Sequence, residues 1–80
     1  MRIDKFLKNS RIIKRRTVAK EACDQGIVFI NGKQCKAGDE VKVGDIVEIK
    51  FTKPLKFEVL DVSENVKKED SKELYRIISD

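Results

Sequence analysis

The run Arg15-Arg16-Thr17-Val18-Ala19-Lys20-Glu21-Ala22-Cys23-Asp24-Gln25-Gly26-Ile27-Val28-Phe29-Ile30-Asn31-Gly32 changes its hydrophobic period midway, and that change decides the fold. Up to Gln25 the apolar positions recur at helical intervals. Val18, Ala19, Ala22 and Cys23 share one face, which predicts a helix over about residues 15–25. Gly26 stands where a left-handed residue closes a helix. Ile27-Val28-Phe29-Ile30 is then a β-branched and aromatic run, and Asn31-Gly32 is the pair that a type I′ hairpin turn requires. Lys33 to Cys35 is the returning strand. The alanines of the helix leave room for a second helix to approach closely.

That second helix lies upstream. Ile3, Phe6 and Leu7 form one apolar stripe over residues 3–9, with Asp4 in the first turn, where a negative charge suits the helix dipole. Asn9-Ser10 breaks it, and Ile12 and Ile13 anchor the connection. Downstream, Ala37 to Glu40 is a loop, and Val41-Lys42-Val43 leads to a turn at Gly44-Asp45. Over Ile46 to Phe51, the residues Val47, Ile49 and Phe51 alternate with Glu48 and Lys50. Lys53-Pro54 ends that strand. Leu55, Phe57 and Val59 alternate with Lys56 and Glu58 in another. Residues 61–69 read as a polar loop. Asp70 and Glu73 have capping-box spacing ahead of Leu74, Tyr75, Ile77 and Ile78, which predicts a short C-terminal helix docked on the sheet. Phe6, Phe29, Phe51, Phe57 and Tyr75 all fall on apolar-periodic positions and are assigned to the core. The expected class is α+β, one domain over residues 1–80: an N-terminal helix-turn-helix-like pair packed on a small antiparallel sheet.

Charge is distributed unevenly. Residues 1–20 hold eight basic side chains and one acid, or +7; the other sixty hold ten basic and thirteen acidic, or −3, giving the net +4. No apolar run approaches the ~18 residues that span a bilayer, and the N-terminus lacks the apolar stretch of a signal peptide. A cytoplasmic protein with no membrane partner is expected. Two cysteines and no histidine cannot complete a four-ligand zinc site within one chain. Cys23 is expected to be buried, Cys35 to be a half-exposed strand residue, and a disulfide is not expected in a reducing compartment. No histidine base, no carboxylate pair in an apolar setting and no phosphate-cradling glycine loop is present, so the chain reads as a non-enzyme needing no cofactor.

The cations suggest the partner. Arg16 and Lys20 are four apart on one helical face, Arg15 begins that helix and Lys14 precedes it; Arg2 and Lys5 share a side of the first helix, and Arg11 lies between the two. Antiparallel packing through Phe6, Leu7, Val18 and Ala22 would leave a basic surface along one side. A merely solvated face mixes signs, as the sheet half does; this one does not. The candidate RNA-binding residues are therefore Arg2, Lys5, Arg11, Lys14, Arg15, Arg16 and Lys20. With the aromatics in the core, no stacking platform for single strands is visible, and the helix lacks base-reading Asn and Gln. Phosphate and shape readout of structured RNA fits best. A protein-interaction module whose acidic half binds a protein partner is the alternative from another class.

Arg2-Ile3-Asp4-Lys5-Phe6-Leu7, then Lys14-Arg15-Arg16-Thr17 with Ala19, then Gly26, Val28 and Ile30-Asn31-Gly32 resemble the S-four RNA-binding domain, with the core motif over about residues 2–50. The short length and the segment Lys67-Lys68-Glu69 with Leu74-Tyr75 resemble the RqcP family of ribosome-associated quality-control proteins. The heat-shock protein fifteen family, which carries a further basic C-terminal extension, is the next nearest. The resemblance implies binding to large ribosomal subunits obstructed by peptidyl-tRNA, contact with large-subunit rRNA and with the tRNA, and support of an RqcH-type alanine-tailing factor; with no dimer element visible in the sequence, a monomer is expected. A heat-shock-type role in recycling such subunits is the alternative within the resemblance. It maps RNA contact best onto Arg2 and Arg16. Related domains often hold Ser or Thr before the second helix, where this chain has Arg15.

Overall fold

The computed structural model describes residues 1–63 and 74–78 of the chain. Two helices, α1 (Ile3–Asn9) and α2 (Arg16–Asp24), precede β1 (Val28–Ile30), β2 (Lys33–Gln34), β3 (Ile46–Ile49), β4 (Leu55–Val59) and β5 (Tyr75–Ile77). The strands form one antiparallel sheet in the order β2-β1-β3-β4-β5.

Each boundary has a local cause. At the end of α2, Gly26 takes φ 77°, its N–H donates to the Cys23 carbonyl at 3.0 Å, and the Ile27 N–H donates to the Ala22 carbonyl at 3.3 Å. These are the two bonds of a Schellman closure. Asn31 and Gly32 both have positive φ, 52° and 81°, as a type I′ turn demands, and pair Ile30 with Lys33. The Asn31 side chain holds the next strand in register: its Oδ1 accepts from the Ile46 N–H at 2.9 Å and its Nδ2 donates to Asp45 at 3.1 Å.

Val28, Val47, Ile49, Phe57 and Val59 turn inward beneath Ile3, Phe6, Leu7, Ala19 and Ala22. Phe6 stacks on Phe57 with ring centres 6.0 Å apart, and Tyr75 meets Phe57 edge-on at 5.6 Å, so an aromatic column ties α1 to the sheet.

Several expectations are corrected. Tyr75–Ile77 is a strand, not part of a C-terminal helix; it pairs with Phe57–Val59, and without it β4 would present an open edge. The Asp70–Glu73 capping box lies outside the described residues. Val18 is 45% exposed, because the seam between the helices is made by Ala19, Ala22 and Cys23 and is too narrow to include it. Phe29 lies on the outer face of the sheet with Lys50 Nζ 4.7 Å from its ring centre, and Phe51 is exposed beyond the end of β3. Cys35 is buried at the end of the hairpin, just past β2, and its thiol donates to the Val28 carbonyl.

Candidate nucleic-acid interface

The N-terminus of α1 is capped by main chain, not by a side chain. The Ile3 N–H donates to the Asp39 carbonyl at 2.8 Å and the Asp4 N–H to the Ala37 carbonyl at 3.4 Å, while Arg2 forms an isolated bridge with Glu40. The loop between β2 and β3 therefore fixes where Arg2 and Asp4 stand.

Asp4 is 2% exposed. A carboxylate this deep must be compensated, and three donors compensate it. Arg2 Nη2 donates to Oδ2 at 3.4 Å with its Nε 3.3 Å from Oδ1; Arg16 Nε donates to Oδ2 at 3.3 Å; the Lys5 backbone N–H donates to Oδ1 at 2.8 Å. The two arginine side chains nevertheless remain 52% and 48% exposed. One end of each is held while the other faces water.

Beside this pair is a shallow hollow of about 290 Å³ lined by Arg2, Asp4, Arg16, Thr17 and Lys20. Its lining carries three positive charges and one negative, a net +2. Of the seven residues predicted from sequence, Arg2, Arg16 and Lys20 meet here, and half-buried Lys5 follows Asp4 along α1. Arg11, Lys14 and Arg15 are exposed on the connection between the helices and do not line the hollow. Arg15 is the extended N-cap of α2 and makes no side-chain capping bond, so the helix start has no Ser- or Thr-type cap. Sequence reasoning missed Asp4 as the link between two arginines, and Thr17 as a lining residue. The signal for Asp4 was its spacing: it is three residues before Leu7, on the apolar stripe, where an acid needs a cationic partner.

The opposite face differs. On the outside of the sheet Glu48 stands opposite Lys56, and Glu58 is ion-paired with Arg76. Signs alternate there, whereas the helical side concentrates cations, with eight basic side chains and one acid over residues 1–20 and the acids Glu21 and Asp24 further along α2. Among the described residues no group of three or more His, Cys, Asp or Glu could hold a metal ion, and no helix is long and apolar enough to cross a membrane. Cys23 and Cys35 are free thiols. Their mutual hydrogen bond, and then burial, push the pKa of the Cys23 thiol up, while the same bond lowers that of Cys35 against the opposing effect of burial.

Residues 1–47 match the S4 domain family. The whole chain is 52% identical to the RQC P-site tRNA stabilizing factor of Streptococcus pneumoniae, covering 92% of that protein. It is 47% identical to the protein of the same name from Bacillus subtilis, again over the whole chain and 94% of the relative. Among solved structures, the fold matches Vibrio cholerae Heat Shock Protein 15, described as trimeric, with a TM-score of 0.89 at 23% identity, over 99% of this chain and 82% of that one.

Proposed function

The chain belongs to the S4 domain family, and we propose that it is an RNA-binding factor of ribosome-associated quality control that docks its helical face on the large ribosomal subunit and steadies the P-site tRNA. Residues 1–80 act as one module in this proposal. It contacts large-subunit rRNA and the peptidyl-tRNA of an obstructed subunit through Arg2, Lys5, Arg11, Lys14, Arg15, Arg16 and Lys20, and so supports alanine tailing of the stalled chain by an RqcH-type factor.

The observation that carries the proposal is the convergence of Arg2, Arg16 and Lys20 on one hollow of net positive charge. Guanidinium groups grip phosphate oxygens bidentately, and such contacts depend on backbone geometry more than on base identity. The names of the Streptococcus and Bacillus relatives support the choice of tRNA and ribosome as the target. Those names describe a stabilizing factor, which agrees with a role without catalysis. No residue is assigned a covalent step.

Sedimentation with purified large subunits carrying P-site tRNA tests the proposal. The wild-type chain is expected to co-sediment, and Arg16→Ala is expected to lose about tenfold in affinity or more while remaining folded, with a lower melting temperature because Asp4 keeps only Arg2 and the Lys5 N–H. Unchanged co-sedimentation of Arg16→Ala would remove this face from the interface. Unchanged alanine tailing in cells lacking the protein would remove the link to the tailing factor.

A further inference from the structure

We infer that the hollow between α1 and α2 seats a single phosphate of the RNA backbone, and that Asp4 is the positioning residue that sets Arg2 and Arg16 around it. This presupposes RNA docking on the helical face and goes one step beyond it, naming the group received and the residue that prepares the seat.

The geometry supports this division of labour. A guanidinium has five N–H groups. Arg16 gives one, at Nε, to Asp4, which leaves its Nη1–Nη2 fork without a protein partner among the described residues. Arg2 turns its Nε–Nη2 edge to the same carboxylate, which leaves Nη1 unengaged. Thr17 and Lys20, which carry a hydroxyl and an ammonium group, complete the set of residues around the hollow. The residues that carry the donors left over border one small concave space whose wall is mainly their aliphatic carbon, and together they keep a net +2 to receive an anion.

Asp4 is the unexpected member, since an acid in an anion site repels the ligand. Its burial and its three donors indicate another use. An unrestrained arginine loses rotamer freedom when it grips a phosphate, whereas these two have already lost it in folding. The loop carbonyls of Ala37 and Asp39 hold the α1 backbone at Asp4, so both guanidiniums are referenced to a fixed point.

Charge and positioning predict opposite signs, which makes the inference testable. Asp4→Asn raises the net charge of the lining from +2 to +3. If charge alone governed binding, the variant would bind more tightly. If Asp4 positions the arginines, the full-length variant should bind purified large ribosomal subunits about tenfold more weakly, with the slope of log affinity against log salt reduced by about one. Binding as tight as wild type, or tighter, would overturn the inference.

Because Asp4 is buried, a second comparison leaves the clamp intact. Thr17→Glu places a carboxylate in the hollow, and Thr52→Glu makes the same charge change at an exposed position between β3 and β4. Thr17→Glu should lose more than tenfold in affinity and Thr52→Glu less than about twofold; equal losses would overturn the seat. If Arg16→Ala weakens binding while Asp4→Asn and Thr17→Glu do not, this inference fails and RNA docking stands. If the wild-type chain itself shows no salt-sensitive binding, both fail.

Discussion

Arg11 has φ 62°, in the left-handed region that costs a residue with a side chain about 1 kcal/mol. It follows the α1 cap at Ser10, and its N–H donates to the Lys8 carbonyl at 3.0 Å, so it fills a place usually given to glycine. Arg11→Gly should therefore raise unfolding free energy by about 0.5–1 kcal/mol in urea melts, while removing one cation from the connection should weaken binding to the large subunit. A less stable glycine variant would show that the arginine side chain makes contacts that outweigh its strain. Val18 shows how a single position escapes sequence reasoning: it lies four residues before Ala22, but 45% of it stays in water. Val18→Ala should change stability by less than about 0.5 kcal/mol. The cations themselves were legible as a group, because their excess over acids is a matter of counting. The bond from Asp4 to Arg16 was not, because it joins residues twelve apart across a packing that the helical wheels alone do not orient.

Elements were legible wherever a turn residue marked their ends. Gly26 closes α2 and Asn31-Gly32 opens the hairpin, and both have the backbone their chemistry demands. Gly26 is under a second constraint: a Cβ there would fall 2.1 Å from Gln34 Nε2, which itself donates to the Gly26 carbonyl at 2.9 Å. Gly26→Ala thus combines left-handed strain with the loss of a bond between α2 and the hairpin. It should cost about 1–2 kcal/mol, read as a fall of roughly 5–10 °C in melting temperature. A melting temperature equal to wild type would show that the closure tolerates a side chain. The last strand was not legible. Leu74-Tyr75-Arg76-Ile77-Ile78 suits either period, and what selects the strand is the edge of β4, with Glu58 opposite Arg76 as an ion pair. α1 is seven residues long and too short to persist alone, so its stability comes from packing. Phe6→Ala removes the ring stacked on Phe57 and should cost about 3–5 kcal/mol, enough to unfold much of so small a protein at 37 °C. A folded Phe6→Ala variant would mean that the aromatic column is dispensable.

Across the whole molecule, the two faces divide stability from recognition. The sheet's outer face pairs its charges across strands, and the helical face leaves its cations exposed above one shared carboxylate. Net charge alone cannot capture this, since +4 is the sum of a segment of +7 and a remainder of −3. Lys20→Glu and Lys53→Glu each lower the net charge from +4 to +2, but Lys20 lines the hollow, whereas Lys53 is exposed between β3 and β4. A long-range field would make the two reversals equivalent at low salt. At physiological ionic strength the screening length is about 8 Å, so only the reversal near bound phosphate should matter. Lys20→Glu should weaken large-subunit binding more than tenfold and Lys53→Glu by less than threefold, with the gap widening between 50 and about 200 mM salt as long-range attraction is screened. Equal weakening at every salt concentration would mean that the whole protein attracts RNA only as a diffuse cation. A larger effect at Lys53 would place the RNA on the sheet, where Glu48 and Glu58 would have to be overcome before any phosphate could approach.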